Sequence, residues 1–284
     1  MPAEITSRQN AVIKACRALA RGRDGDTVLL DGAHLLEDAL DAGLAIEAVV
    51  ASHDFAAAHP RLISALETRA LVYLAADEVL EGASPVRTPG GIIAIATLPD
   101  ASVADALPQH AAEGSPYLPA MAVALVDVQD PGNAGAVVRS VEAAGGTGVV
   151  ACGATADLRG WKALRASMGS SFRVPLAASS VDHLFDDAKV AGVRVIASTL
   201  DAGSVDMRDI GWIEPFVLLV GNEGHGLASD IARRAEVRVR IPMFGKLQSM
   251  NAAMSAAVIL YEAQRQRANP GEHGRTARAR QGID

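Results

Sequence analysis

Apolar positions along the chain follow two rhythms that take turns. Short, nearly continuous apolar runs alternate with longer stretches in which apolar residues recur at helical spacing, and glycine or proline stands between most of them. The first rhythm fits strands buried on both faces; the second fits helices that bury one stripe. In the first hundred residues, Val12, Ile13, Cys16 and Leu19 form a helical stripe behind a capping Asn10. Residues 27–30 read as a strand and 34–42 as a helix stopped by Gly43. Strands at 46–52, 71–74 and 90–96, with a helix at 60–69, complete a small α/β domain.

After a break the alternation resumes more strictly. Strands are expected at 123–128, 148–151, 172–176, 193–197, 216–220 and 237–241. Helices are expected at 134–144, 161–168, 181–191 and 229–235, with a long final helix through Ala252, Ala256, Ile259, Leu260 and Tyr261. Buried strands separated by helices indicate an α/β domain with a parallel sheet covered on both faces. The break itself carries Pro99, Pro108, Pro116 and Pro119 around Glu113-Gly114-Ser115, a composition suited to an exposed linker with one helical turn at 101–107. The expected organisation is therefore a first domain at 1–99, a linker at 100–120, a second domain at 121–268 and a basic, disordered tail at 269–284.

Composition narrows the class. Of 284 residues, 50% are hydrophobic, enough for sizeable cores, yet no apolar run reaches the length of a membrane span. The N-terminus lacks the charged-then-apolar order of a signal peptide. Cys16 and Cys152 lie far apart and read as buried small hydrophobes of a reducing compartment, so a cytoplasmic protein is expected. The net charge of −7 does not by itself suggest nucleic-acid binding. Its distribution does: basic residues gather at Arg8, Lys14, Arg17, Arg21 and Arg23, at Arg159, Lys162, Arg165 and Arg173, and at Arg265, Arg267, Arg275, Arg278 and Arg280. Each group reads equally well as a solvated helix face or tail.

Chemistry concentrates where three strands of the second domain break into polar, glycine-rich loops: Asp127-Val-Gln-Asp-Pro-Gly-Asn-Ala-Gly135, Gly221-Asn-Glu-Gly-His-Gly226 and Ile241-Pro-Met-Phe-Gly-Lys-Leu-Gln-Ser-Met-Asn251. Strand ends that face helix starts are where open α/β sheets bind ligands. Neither glycine-rich loop has the dinucleotide fingerprint or a P-loop ending, and the histidines form no helical metal pair. No serine stands in a nucleophile elbow. Asn133, Arg139, Asn222, Glu223, Ser249 and Asn251 remain as one polar constellation. Taken singly, Asn133, Ser249 and Asn251 also read as helix caps, Arg139 as a snorkelling side chain and Glu223 as an acceptor for its own turn.

The three stretches, in this order and at these separations, resemble the SpoU/TrmH family of RNA 2′-O-ribose methyltransferases in the SPOUT superfamily, as does Trp161-Lys-Ala-Leu-Arg-Ala-Ser-Met-Gly169 between them. The resemblance covers 122–267. It implies a deep trefoil knot, a homodimer formed through the C-terminal domain, and S-adenosylmethionine as cofactor without a metal. It further implies cofactor contacts at Thr199, Gly221, Ile241 and Met250. Catalytic roles fall to Arg139 on the phosphate or developing oxyanion, to Asn133 in holding the ribose or Arg139, to Glu223 in ordering the second loop and orienting the nucleotide, and to Ser249 and Asn251 in anchoring the third loop. The first domain resembles the family's substrate-binding domain, which is like ribosomal protein L30e, through Ile5-Thr-Ser-Arg-Gln-Asn10 and Leu30-Asp-Gly-Ala-His-Leu-Leu36. RNA contacts are expected at Arg8, Arg21, Arg23 and Arg165. Ribosomal RNA, 23S in particular, is favoured over transfer RNA. A non-catalytic RNA-binding or ribosome-assembly factor on the same fold is the other reading, and retention of Arg139 and Ser249 favours the enzyme. The chain departs from the pattern at Met250, where the family has leucine, and at Asp31 and His34 in the first domain.

Overall fold

The computed structural model describes residues 2–22, 24–108, 119–246 and 249–269. It divides into two compact units, Met1–Asp100 with Leu158–Arg173, and Ala101–Asp157 with Val174–Asp284. Among the described residues no helix is long and apolar enough to cross a membrane.

The first unit is built on strands β1 (Ala3–Ile5), β2 (Thr27–Asp31), β3 (Ala45–Ser52), β4 (Leu71–Ala75) and β5 (Ile92–Thr97), in the order β1-β4-β3-β5-β2. β1 and β3 run parallel to β4, while β5 runs antiparallel to both β3 and β2. Side chains alternate across the pleat. Val28, Leu30, Ile92, Ala94 and Ala96 join one core with Leu35 and Leu36 of α2 (Ala33–Asp41) and Ile63 and Leu66 of α4 (Pro60–Glu67). Leu29, Ile93 and Ile95 join another with Ile13, Cys16 and Leu19 of α1 (Ala11–Arg21) and Val79 and Leu80 of α5 (Asp77–Glu81). Asn10 caps α1 as expected, accepting from Val12 N. The short β1, α3 (His53–Ala58) and α5 escape the sequence reading because none is long enough to repeat its period.

The second unit holds a seven-stranded sheet in which every pairing is parallel. Its elements are α6 (Val103–Ala106), β6 (Met121–Val126), α7 (Pro131–Ala143), β7 (Gly148–Cys152), then, beyond an excursion carrying α8 (Trp161–Ser167), β8 (Leu176–Ser179) and α9 (Val181–Ala191). β9 (Arg194–Ser198), β10 (Val205–Asp206), β11 (Phe216–Val220), α10 (Ser229–Arg234), β12 (Val237–Arg240) and α11 (Ala252–Ala268) follow. The order is β10-β12-β9-β11-β6-β7-β8. All of β6 and β11 is buried, which is why both read as unbroken apolar runs. α6, α9 and α10 cover one face through Ala106, Leu184, Ala188 and Ala232, and α7 and α11 pack together against β6 and β11.

Three sequence expectations change. Residues 170–172 form a 3₁₀ turn, and the strand expected at 172–176 starts only at Leu176, after Pro175, which has no N–H to pair and offers only its carbonyl to Val149 N (3.0 Å). Part of the expected linker is core: a Ser102–Asp105 capping box starts α6, and Ala106 and Leu107 are buried. Arg267, grouped with the basic tail by sequence, is buried at the end of α11. Its guanidinium donates to the carbonyls of Trp212 (2.9 Å), Pro119 (2.6 Å), Ala120 (3.1 Å) and Glu214 (3.0 Å) and lies 5.2 Å from the centre of the Phe216 ring. Burial pushes that guanidinium down to about 10.

The excursion between β7 and β8 is the main departure, because the segment Leu158–Arg173 packs in the first unit. There α8 lies against β2, the terminal strand of the sheet. Leu164, wholly buried, enters the α2 side of the core. Trp161 packs on the α1 side and donates from Nε1 to Ala20 O at 3.0 Å. Buried Arg159 donates to Leu98 O (2.6 Å) and pairs with Asp26 and Asp100. A bare sheet edge is a template for unwanted pairing; here one helix closes it and joins both cores. Leu164→Ala should therefore lower the stability of this unit by about 2–5 kcal/mol, read as a lower urea midpoint in Trp161 fluorescence. An unchanged midpoint would mean that α8 does not hold the edge.

Candidate active site

The sheet order sets β12, β9, β11 and β6 side by side, so the loops at their C-terminal ends are neighbours. The first loop begins at Asp127, whose backbone is left-handed (φ 58°). Its carboxylate accepts from Ala154 N (2.7 Å) and its carbonyl from Asn222 Nδ2 (2.9 Å). Asp130 then caps α7, accepting from Asn133 N at 2.8 Å, with Pro131 in the first helical position. Because Asp130 is the cap, the Asn133 side chain is released from that duty.

It bridges instead. Asn133 Nδ2 donates to Glu223 Oε1 (3.0 Å), and Asn133 Oδ1 accepts from Asn251 Nδ2 (2.9 Å). Asn251 is a cap as well: its Oδ1 accepts from Ala253 N (2.9 Å) and Met254 N (3.3 Å) at the start of α11. One residue from each loop thus forms a hydrogen-bonded chain. Burial works to raise the Glu223 carboxyl, but hydrogen bonds from the Asn133 amide and from the N–H groups of Glu223, Asp130 and Gln129 outweigh it and hold it below the usual glutamate range. Glu223 is therefore a fixed negative charge rather than a proton shuttle.

The second loop is shaped by its own polar and glycine residues. Asn222 Oδ1 accepts from Gly224 N (2.8 Å) and His225 N (3.1 Å), and Gly226 N returns to Asn222 O (2.9 Å). Gly226 adopts φ 67°. At Gly221 the constraint is contact: a Cβ there would stand 2.4 Å from Gly226 C and Leu227 N. The loop folds back on its own root only because that position has no side chain.

Together the loops enclose a cavity of about 300 Å³, within the roughly 300–1,000 Å³ of small-molecule sites. Thr199, Gly221, Ile241 and Met250, the four expected cofactor contacts, all line it, as do Glu223 and Ser249. Leu227 and Met243 add apolar wall, so the lining combines apolar Ile241, Met243 and Met250 with polar Thr199, Asp201 and Glu223. Such a mixed lining suits a small molecule that carries both apolar and charged parts. Among the described residues no cluster of histidine, cysteine, aspartate and glutamate is placed to hold a metal ion. Arg139 is exposed on α7, six residues beyond Asn133 and outside the cavity lining.

The expected RNA-contact residues that the structure describes all fall in the first unit. Arg8 donates from Nε and Nη2 to Glu78 O (2.9 and 2.6 Å) in the first turn of α5, and Arg17 Nε reaches Gly82 O (2.5 Å) at its C-cap. Arg21 is exposed in the last turn of α1, Arg165 is exposed on α8, and Arg23 lies outside the described residues. Asp31 is buried and accepts from Ser84 Oγ (2.5 Å); burial raises its carboxyl against the lowering effects of that bond and of the Arg165 charge. His34 is fully exposed. The sequence reading passes over Asp127 and Asp130, which set the first loop, whereas Asn222, singled out beside Glu223, sets the second. Only Asp130 carries a local signal, an aspartate directly before proline at a helix start.

Comparison with known proteins agrees with this geometry. The profile described as the SpoU rRNA Methylase family matches residues 120–261. The 23S rRNA (guanosine(2553)-2'-O)-methyltransferase RlmP of Bacillus subtilis is 29% identical over 262 residues, 91% of this chain and 98% of its own. A Synechocystis protein described as an uncharacterized tRNA/rRNA methyltransferase is 31% identical over 269 residues, 93% of this chain and 94% of its own. Among solved structures, an AdoMet-bound rRNA methyltransferase from Sinorhizobium meliloti superposes with a TM-score of 0.79 at 33% identity, covering 93% of this chain and 97% of that one. The SpoU methyltransferase AviRb from Streptomyces viridochromogenes gives 0.77 at 26% identity, covering 92% and 99%. With the profile spanning half of the sequence and a relative above 30% identity along nearly all of it, the chain belongs to the SpoU rRNA Methylase family.

Proposed function

We propose that this protein transfers a methyl group from S-adenosylmethionine to a ribose 2′-hydroxyl of structured RNA, with 23S ribosomal RNA as substrate. The observation that carries the reading is the chain Glu223–Asn133–Asn251, which ties three strand-end loops around a cavity lined by Thr199, Gly221, Ile241 and Met250. The ribosomal preference is supported by the Bacillus subtilis relative named for a 23S nucleotide, which matches over almost its whole length. The cofactor is supported by the AdoMet-bound structure, likewise matched over both units.

S-adenosylmethionine, when bound, supplies an electrophilic methyl on a sulfonium. The chain's own residues do the rest. Ile241, Met243 and Met250 offer an apolar surface for a purine, while the Gly221 backbone and Thr199 border the polar end. Glu223, kept ionised, orders the first two loops through Asn133 and Asp130 N. Arg139 holds the phosphate next to the target ribose or the oxyanion that develops there, fixing the line of attack. A guanidinium keeps its proton in proteins, so this role is electrostatic.

β12 pairs between β9 and β10, two strands that precede it, a re-entrant order in keeping with a deep trefoil knot. α11 leaves Met254 and Tyr261 more than half exposed on its outer side, which supports a homodimer through this unit. The first unit serves as an L30e-like RNA-binding domain, with Arg21 and Arg165 facing solvent for phosphate contact.

Three outcomes test the reading. Gly221→Ala should weaken S-adenosylmethionine binding by about 1–3 kcal/mol, since the new methyl meets backbone; equal affinities by calorimetry would misplace the pocket. Arg139→Ala should cut methyl transfer by roughly 100- to 1,000-fold with cofactor affinity retained, and Arg139→Lys should recover little because the planar fork is lost. Near-normal turnover would remove Arg139 from the mechanism. Finally, mapping 2′-O-methylation across total RNA, with and without the gene, should show one or a few 23S positions that vanish on deletion and return on complementation. A lost transfer-RNA position would redirect the substrate assignment.

A further inference from the structure

Among the described residues of the second unit one charged side chain is buried, and the proposed chemistry does not use it. This is Arg267, near the end of α11. Its guanidinium is held by the carbonyls of Pro119, Ala120, Trp212 and Glu214, with no carboxylate of a described residue paired to it. Gln266 beside it is fully buried; its Oε1 accepts from Trp212 N (3.1 Å) and its Nε2 donates to Ile210 O (3.2 Å). Consecutive residues of the helix thus hold the N–H and the carbonyl of Trp212. Pro119 and Ala120 lead into β6, and Trp212 and Glu214 lead into β11. At the other end of α11, Asn251 binds Asn133 in the loop that leaves β6, and Asn133 binds Glu223 in the loop that leaves β11. The helix is a strut, about 24 Å from Asn251 to Arg267 at 1.5 Å per residue, tied at both ends to the same two strands.

We infer that Arg267, seconded by Gln266, is a positioning residue for methyl transfer: it fixes α11 along its own axis and so places the helix start at the cavity. The inference rests on the methyltransferase reading and deepens it. The helix start matters because Ala252 and Ser255 line the cavity and Asn251 closes the hydrogen-bonded chain of the three loops. Packing alone sets the axial position of α11 weakly. Of its buried apolar residues, Ala252, Ala253, Ala256 and Ala263 are small, and only Ile259 and Leu260 are large. Small side chains raise shallow ridges, which give a neighbouring helix little to lock into. A buried guanidinium behaves differently. Its desolvation is costly unless its donors are met, so a slip along the axis that breaks the bonds to those carbonyls is opposed steeply. The end of the helix farthest from the cavity therefore sets the register of the end that lines it.

The test uses the full-length protein, tritiated-methyl S-adenosylmethionine, and ribosomal RNA isolated from a strain lacking the gene. Arg267→Lys keeps the charge but not the planar fork, and an ammonium on a flexible stem cannot span the same carbonyls. Its single-turnover transfer at saturating cofactor should fall roughly 10- to 100-fold, the scale of a small misplacement caused far from the chemistry. Amide hydrogen exchange at Ala253 and Met254, which donate to Asn251 Oδ1 in the parent, should quicken about tenfold or more while the amides of β6 keep their rates. Leu184→Ala, buried under α9 on the other face of the sheet, is the control for lost stability alone. It should lower the unfolding midpoint yet leave transfer and those two amides at parent values. Parent-like exchange at Ala253 and Met254 in Arg267→Lys, or near-parent transfer, overturns the inference. So does an equal loss of transfer in Leu184→Ala. If Arg267→Lys does not fold, Gln266→Met, which removes the bonds to Trp212 and Ile210, carries the same expectations. Failure of the parent to methylate this RNA would sink the methyltransferase reading, while exchange at Ala253 and Met254 would still decide whether Arg267 sets the helix start.

Discussion

The site depends on one side chain being left unoccupied by its own helix. Asp130 satisfies the first turn of α7, so the amide of Asn133 can hold Glu223 with its nitrogen and Asn251 with its oxygen. Each bond alone is worth about 0.5–1.5 kcal/mol net, somewhat more where the carboxylate takes part. The geometric effect is larger than the energy suggests. Asn251 is itself the cap of α11, so the position of that helix start is coupled to the first and second loops through a single amide. Beneath this chain the fully buried strands β6 and β11 provide a base that does not give, with α7 and α11 packed against it. Loops that carry chemistry need such a floor.

The second unit was largely legible because a doubly covered parallel sheet writes each strand as an apolar run and each helix as a stripe. Four residues that line the cavity could be picked out because glycine, proline and polar residues mark where strands break, and the family resemblance says which of them to expect there. What was hidden shares a physical cause: it depends on partners distant in sequence. Nothing local shows that the arginine at 267 is buried among four carbonyls, since arginine near a chain end usually means solvent. Nothing local shows that Asn133 is a bridge and not a cap. At Asp127 a left-handed backbone on a residue with a Cβ is compensated by two loops that bond to it, one through its carbonyl and one through its carboxylate. The glycines divided by mechanism: Gly226 needs its dihedral, whereas Gly221 needs only the space.

The first unit shows a different limit. Its strands other than the short β1 were found, but its boundary follows packing and not sequence order. The apolar residues of 158–173 have the same stripe whichever sheet they cover, so periodicity assigned α8 to the nearer domain in sequence. Its destination is set by the open side of β2 and by two cores that each accept one residue from it, Leu164 and Trp161.

That placement bears on how such a chain can be inherited. The polypeptide crosses from one unit to the other at 100, returns at 158 and leaves again after 173. The first unit is therefore not a cassette that a single recombination near residue 100 could exchange. A foreign N-terminal half would arrive without the helix that finishes its sheet and would meet a resident α8 shaped for another partner. New RNA targets in a lineage built this way are reached most readily by changing exposed positions on a retained pair of units, because the helix and the edge it covers must travel and change together.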